Sequence, residues 1–144
     1  MRSILGEISI NQPEQSPENK TDYSRSRELA LAAAQVAADY GGSDIVVLDM
    51  TDHTPSFDFF VIATGTSRRQ LHAMSEEIDH KLEDDLKDRR LNIDGYDESR
   101  WIVLDYATVV VHLFDEETRS YYSLESLWAD ARKVDLDGLI KFSN

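Results

Sequence analysis

Apolar side chains recur along the chain at two spacings, one typical of helices and one typical of strands. The clearest helical stripe has apolar residues three or four positions apart: Leu71, Met74, Ile78, Leu82 and Leu86. Ser67 and Gln70 match a capping box, so this helix is expected to begin there. An alanine-rich run over residues 27–40 predicts an earlier helix, which Gly41 and Gly42 would end.

Strand-length runs of β-branched and aromatic residues alternate with these helices. We predict strands at residues 44–50, 57–64, 91–96, 101–105 and 108–114. Residues 115–117 open a further helical stretch, and Leu124, Leu127 and Ala131 give a final short helix an apolar side. The order α-β-β-α-β-β-β-α predicts an α/β (α+β) fold, in which helices pack on a mixed sheet of about five strands.

The two ends of the chain are more polar than its middle. Residues 11–23 are polar and contain two prolines, so we predict a disordered N-terminal arm over residues 1–23. The folded domain is expected to span residues 24–131. Residues 132–144 are interpreted as a C-terminal tail with a small apolar patch at Leu139, Ile140 and Phe142.

Composition narrows the classes of function. The chain has 144 residues, which suits one domain, and its formal net charge is −13. Such a charge repels phosphate backbones and attracts basic surfaces, so little direct nucleic-acid contact is expected, although acidity also serves solubility alone. The chain has no cysteine, no signal-peptide pattern and no apolar run near the roughly 20 residues of a membrane helix. We therefore expect a cytoplasmic protein without membrane contact.

Candidate catalytic residues are scarce. The four histidines lack the spacing of a zinc motif, which predicts no metal site. Gly65-Thr66-Ser67 lies between a strand and a helix, where backbone N–H groups can bind phosphate, but such junctions more often only turn and cap. A nucleotidyltransferase would need paired carboxylates on a strand to hold magnesium, and the one such pair, Asp135 and Asp137, lies in the tail. We expect no catalytic residue, no cofactor and no enzyme activity.

The segment that begins at Trp101 offers a binding surface instead. Alternation along a strand places Trp101 and Asp105 on one face of the sheet and Leu104 on the other. A large aromatic residue with a nearby carboxylate is typical of the centre of a protein interface. The alternative is a sheet buried on both faces, which the sequence leaves open.

Four blocks in series resemble a known family. They are DIVVLDM (44–50), SFDFFVIATGTSRRQ (56–70), RWIVLDYATVVVHLF (100–114) and YYSLESLWAD (121–130). In this order and spacing they resemble the Iojap family of ribosomal silencing factors, from about Leu29 to Ala131. The resemblance implies a fold related to nucleotidyltransferases that lacks their catalytic carboxylates.

The resemblance also implies a function and a partner. A member would bind the large ribosomal subunit through ribosomal protein fourteen, block joining of the small subunit, and repress translation when nutrients are limiting. The family's interface maps onto Trp101, Leu104, Asp105 and Tyr106. Two alternatives stay open: a nucleotide-binding enzyme built around Gly65-Thr66-Ser67, and an acidic adaptor for another partner. Exposed apolar strands would also be compatible with a homodimer of the protein when it is not bound to a partner.

The sequence departs from the family pattern after this block. Ala107 and Thr108 stand where the family usually has a glycine and an acidic residue. Glycine permits a left-handed backbone that alanine resists, so the geometry of the turn at residues 106–108 is left open.

Overall fold

The computed structural model describes residues 17–142, with side chains from Asp22 onwards. The helices are α1 (Pro17–Asp39), α2 (Arg68–Asp79), α3 (Glu116–Tyr122) and α4 (Leu124–Leu127), and a π-helical segment (His80–Asp85) continues α2. The strands are β1 (Ser43–Asp49), β2 (Phe59–Gly65), β3 (Asn92–Asp94), β4 (Trp101–Asp105), β5 (Val109–Asp115) and β6 (Arg132–Lys133). No helix of this described part is long and apolar enough to cross a membrane.

The strands form one mixed sheet in the order β3-β4-β5-β2-β1-β6. The central pair, β2 and β5, is parallel, with Phe59 opposite Val109 and Gly65 opposite Asp115. The other neighbouring strands run antiparallel. The predicted α/β fold with a mixed sheet is confirmed, and the sheet has six strands where about five were expected, because the two-residue β6 joins its edge.

Helices α1 and α2 cover one face of the sheet, which we call the helix face. Four alanines of α1 are fully buried, and they let this helix approach the strands closely: Ala30, Ala33, Ala34 and Ala37. The apolar stripe of α2 and its continuation packs into the same core through Leu71, Met74, Ile78 and Leu82. From the sheet, this core receives side chains that include Phe59, Val61, Ile102, Leu104 and Val111.

The opposite face, which we call the second face, carries a separate apolar cluster. Its members from the sheet include Leu48, Phe60, Ile62, Val103 and Phe114, with Trp101 packed against them. Leu124, Trp128 and Ala131, from α4 and the residues after it, cover part of this face. Trp101 and Val103 thus lie on one face and Ile102 and Leu104 on the other, which confirms the alternation predicted for this strand.

The start of α2 follows the predicted capping pattern. Ser67 is the N-cap residue, and its Oγ accepts a hydrogen bond from the Gln70 backbone N–H at 3.0 Å. The Gln70 side chain reaches back one residue further than in a standard capping box and accepts from the Thr66 N–H at 2.6 Å. The predicted helix start at Ser67 is confirmed.

The N-terminal boundary of the domain differs from the expectation. Residues 1–16 of the expected arm lie outside the described residues, but α1 already begins at Pro17. Proline suits the first helical position, because its missing N–H would have no helical partner there. Tyr23 packs on Phe59 with ring centroids 5.4 Å apart, and its hydroxyl donates to Asp49 at 2.7 Å. The polar composition of residues 17–23 gave no sign of a helix, but contacts such as those of Tyr23 attach this part of α1 to the domain.

The C-terminal segment also packs against the domain. Lys133 of β6 pairs with Leu48 of β1, and the Arg132 guanidinium lies 3.1 Å from the Asp49 carboxylate. Further along, Ile140 is buried in the core of the helix face, with Val134 and Leu136 packed against the same core. The tail expected over residues 132–144 is therefore, as far as residue 142, part of the folded unit. Its few apolar residues are too widely spaced to form a periodic pattern in the sequence.

Candidate partner-binding surface

Trp101 stands at the start of β4, on the second face and partly exposed. Its indole ring stacks on Phe114 of the neighbouring strand, with centroids 4.9 Å apart. Its Nε1–H donates a hydrogen bond to Nδ1 of His112 at 3.0 Å. Cross-strand pairing explains these contacts, because Trp101 lies opposite Phe114 in the sheet register.

Two tyrosines extend the aromatic surface beyond Trp101. Tyr122 of α3 packs against the indole with centroids 4.8 Å apart, and Tyr121 meets Tyr122 edge to face at 5.0 Å. Tyr121 is 80% exposed and Tyr122 is 54% exposed. We call these three side chains the aromatic patch. Aromatic groups that are exposed and adjacent are typical of the surfaces with which proteins bind one another.

A shallow cavity of about 480 Å³ opens beside the aromatic patch. Its lining combines the three aromatic rings with the charged side chains of Glu98, Arg100 and Glu117. Two carboxylates and one guanidinium thus line the cavity. Together with the net charge of −13, this lining favours a partner surface that carries positive charge.

The loop before β4 is fixed to α2, and this fixes one wall of the cavity. The ring of His72 stacks on Tyr96 at 3.9 Å, and its Nε2 hydrogen-bonds the Tyr96 carbonyl at 2.8 Å. Gly95 has a φ of +79°, and a Cβ there would lie 2.1 Å from the Trp101 carbonyl oxygen. Only glycine allows the loop to pass this close to the start of β4.

The other wall depends on how α3 is held. Asp115 caps α3 by accepting from the Thr118 N–H at 2.7 Å. Arg119 is 9% exposed, and its guanidinium donates to Thr64 at 2.8 Å and to Glu125 at 2.6 Å. Although burial raises the pKa of Glu125, its hydrogen bonds with Arg119 outweigh this and hold the pKa below its usual value. The partly buried Arg119–Glu125 pair therefore fixes the end of the helix that presents Tyr121 and Tyr122.

Two of the four predicted interface residues lie on the helix face. Leu104 is fully buried, and Tyr106 is 2% exposed. The Tyr106 hydroxyl donates to Asp79 of α2 at 2.8 Å. Burial and this carboxylate both raise the Tyr106 pKa, so the hydroxyl stays protonated and keeps its bond. Their side chains pack beneath α2, on the side of the sheet opposite the aromatic patch.

Asp105 shapes the turn after β4. It is 5% exposed, and its carboxylate accepts from the Ala107 N–H at 2.8 Å. Ala107 adopts a φ of +74°, and the Thr108 N–H donates to the Tyr106 carbonyl at 2.9 Å. The turn thus keeps a conformation suited to glycine while alanine occupies it, and the Asp105 carboxylate helps to hold it. Of the four predicted residues, only Trp101 contributes to the aromatic patch.

Sequence reasoning missed two residues of the aromatic patch and the buried histidine beneath it. Tyr121 and Tyr122 were placed only in a resemblance block, because α3 has no clear apolar stripe. His112 entered the sequence analysis only as one of four histidines without the spacing of a zinc motif. The signal for His112 is the strand pairing, because Trp101 lies opposite Phe114 and His112 is two positions from Phe114 on the same strand. That register is a tertiary feature and cannot be read from local composition.

The junction Gly65-Thr66-Ser67 is occupied by structural contacts. A Cβ at Gly65 would lie 2.8 Å from Leu71 and 2.9 Å from Met74, so the glycine permits close packing of α2 on β2. The Gln70 and Thr66 N–H groups already have side-chain acceptors, as described above. Two of the backbone donors that a phosphate would use are therefore engaged. Within residues 17–142, no group of three metal-ligating side chains of the His, Cys, Asp or Glu type is found.

The fold and the aromatic patch define an α/β domain whose exposed chemistry suits docking against another macromolecule. The family model described as "Ribosomal silencing factor during starvation" matches residues 23–144. The chain belongs to this family, which confirms the predicted resemblance. The match continues beyond Ala131, so the C-terminal segment lies within the family region, contrary to our expectation.

Relatives and solved structures agree. The chain is 41% identical to "Ribosomal silencing factor RsfS" of Bacillus subtilis over 112 residues, which are 77% of this chain and 93% of that protein. It is 40% identical over 88 residues to mouse "Mitochondrial assembly of ribosomal large subunit protein 1", covering 59% of this chain and 38% of that protein. A crystal structure from Bacillus halodurans superposes with a TM-score of 0.66 at 33% identity, covering 76% of this chain and 99% of that chain. The relation to nucleotidyltransferases stays a prediction.

Proposed function

We propose that this protein binds the large ribosomal subunit through the aromatic patch and blocks joining of the small subunit, so that translation falls when nutrients are limiting. The family description, a silencing factor during starvation, supports the regulatory outcome. The name of the mouse relative supports the large subunit as the place of action. The observation that carries the proposal is the partly exposed Trp101 packed against the exposed Tyr122, which in turn contacts the exposed Tyr121.

The partner within the subunit is proposed to be a basic ribosomal protein, ribosomal protein fourteen. A chain with a net charge of −13 is steered towards positive protein surfaces and repelled by bare RNA. The cavity beside Trp101 adds a local reason, because Glu98 and Glu117 outnumber Arg100 along its wall. Docking is therefore proposed to be mainly between proteins, in the cytoplasm, and without a catalytic step.

The four interface residues are proposed to act in two ways. Trp101 contacts the partner directly, because part of its ring is accessible. Leu104, Asp105 and Tyr106 act indirectly: their buried contacts fix β4 and the following turn, and so the position of Trp101. Charge reversal at Asp105 would consequently disturb the fold before it reports on the partner.

Co-sedimentation with purified large subunits tests the proposal. In a sucrose gradient, the unmodified protein should migrate with the large subunit, and the Trp101→Ala variant should remain at the top. Tyr40→Ala is the matched control, because Tyr40 is an aromatic residue, 43% exposed, that directly follows α1 and lies outside the aromatic patch. Equal binding by both variants would remove the aromatic patch from the interface. Absence of the unmodified protein from the subunit peak would contradict the proposed partner.

Order of addition tests the mechanism. In a purified translation system, protein added before the small subunit should inhibit, whereas protein added to assembled, elongating ribosomes should not. Inhibition of the same size in both orders would show that the factor acts elsewhere than at subunit joining.

A further inference from the structure

One buried polar side chain on the second face has a role that packing does not explain. His112, in the middle of β5, is 1% exposed. The ring of Phe60 meets it edge to face at 4.6 Å, and Trp101 and Phe114 flank it at 6.0 and 6.3 Å. An imidazole in such surroundings costs stability unless both ring nitrogens find partners.

Only one of the two ring nitrogens has a partner. Nδ1 accepts the Trp101 indole N–H at 3.0 Å, whereas Nε2 is buried without a hydrogen bond. Because Nδ1 is an acceptor, the ring proton of the neutral histidine is on Nε2. For packing alone, leucine or phenylalanine would serve better here, since neither leaves a buried polar atom unpartnered. What histidine adds is an acceptor for the Trp101 indole.

The acceptor is available over the whole physiological pH range. A protonated imidazole carries hydrogen on both nitrogens and cannot accept from an indole. Burial lowers the pKa of His112 to about 3, so the ring stays neutral. Because His112 is 1% exposed, its Nδ1 is shielded from water, and the Trp101 indole N–H is its hydrogen-bond partner.

We propose that His112 is a positioning residue, which holds the Trp101 ring flat against Phe114 and thereby presets the aromatic patch for its partner. Without the acceptor, the indole N–H gains a partner only by turning towards solvent, and the ring then leaves Phe114 and Tyr122. A patch whose anchor is already in its bound orientation loses less entropy on docking. The presetting of the ring is independent of the proposed function, whereas its benefit for docking rests on it.

A matched pair of substitutions isolates the acceptor. His112→Asn places an amide oxygen the same number of bonds from the backbone as Nδ1, and His112→Leu has nearly the same shape without an acceptor. The first readout is hydrogen exchange of the Trp101 indole N–H by NMR, with the signal assigned through its loss in Trp101→Phe. Exchange should be slow in the unmodified protein and in His112→Asn, and at least about tenfold faster in His112→Leu. Equal protection in all three would overturn the proposal.

The second readout is binding to purified large subunits, at a temperature where melting curves show each variant folded. His112→Leu should bind roughly tenfold more weakly than the unmodified protein, and His112→Asn within about threefold. In a Trp101→Phe background, which has no indole donor, His112→Leu should cause no further loss. A full additional loss there would mean that His112 acts through packing, and the positioning role would be wrong.

The two readouts separate the two proposals. Faster indole exchange in His112→Leu, together with unmodified protein that does not bind the subunit, would keep the presetting of the ring and reject the proposed function. Faster exchange with undiminished subunit binding would instead show that docking does not need the preset ring. If His112→Asn proves unfolded, the comparison of His112→Leu in the two Trp101 backgrounds still decides the outcome.

Discussion

On the helix face of the sheet, side chains are apolar, fully buried and covered by two helices. On the second face, the same strands carry a buried imidazole, a partly exposed indole and an incomplete cover of short helical turns. The first face meets the requirement of dense packing, in which any residue of suitable shape serves. The second face keeps polar and exposed groups that lower the stability of the fold. Their presence is explained if they serve another purpose, such as binding a partner. Residues of one strand therefore serve different purposes on its two faces, as Trp101 and Leu104 do.

The largest effect on stability is expected on the helix face. Leu104→Ala should destabilise the domain by about 3 kcal/mol, because it leaves a cavity in a fully buried position. Leu127→Ala is the control, since Leu127 is 72% exposed and its loss should cost less than about 0.5 kcal/mol. Chemical denaturation measures both. A small effect of Leu104→Ala would mean that the two faces differ less than their burial indicates.

The next effect is on binding and concerns the second face. Trp101→Ala should weaken large-subunit binding roughly thirtyfold, or about 2 kcal/mol, as truncation of an interface tryptophan commonly does. Circular dichroism should show the fold retained. Loss of the fold would show that Trp101 is a core residue. The second face would then serve packing at this position, as the helix face does.

A pH dependence of stability should distinguish the buried imidazole from the apolar face. The pKa of His112 falls from its ordinary 6.5 to about 3 on folding, so in acid the unfolded chain binds a proton that the folded chain does not. The stability contribution is therefore complete above pH 6.5 and is lost as the pH falls towards 3. Between pH 7 and 5.5 the protein should lose about 1 kcal/mol more than His112→Asn. Parallel pH profiles in urea denaturation would contradict this.

The smallest effect is expected at the turn that joins β4 to β5. Ala107→Gly should stabilise the domain by about 0.5 kcal/mol, because glycine adopts the observed φ of +74° without strain. This relief of strain should outweigh the cost of glycine's greater conformational freedom in the unfolded chain. Ala73→Gly is a control with the opposite sign, since it places glycine within α2. A lower melting temperature for Ala107→Gly would show that alanine is not strained in this turn.

The sequence was informative wherever the pattern was local. Alternation assigned Trp101 and Leu104 to opposite faces, and the Ser67 cap predicted the start of α2 correctly. The missed features depend on long-range contacts. His112 gains its importance from the register of β4 on β5, and Ile140 is buried in a core cluster whose other buried members, from Leu29 to Leu113, are distant from it in the chain. Alternation beside Trp101 nominated Asp105 and the resemblance added Tyr106, but only the structure showed that both side chains are buried.

The parallel pairing of β2 with β5 has a consequence for how the domain folds. Phe59 pairs with Val109, which is far from it along the chain, whereas Asp105 and Val110 pair across a tight turn. The β4–β5 hairpin can therefore form early, while closing the long loop between β2 and β5 costs chain entropy before any contact repays it. Domains with such distant pairings fold in milliseconds to seconds, far more slowly than helical bundles. Until β5 pairs with β2, the two central strands of the sheet lack their parallel partner, although the β4–β5 hairpin can already be formed.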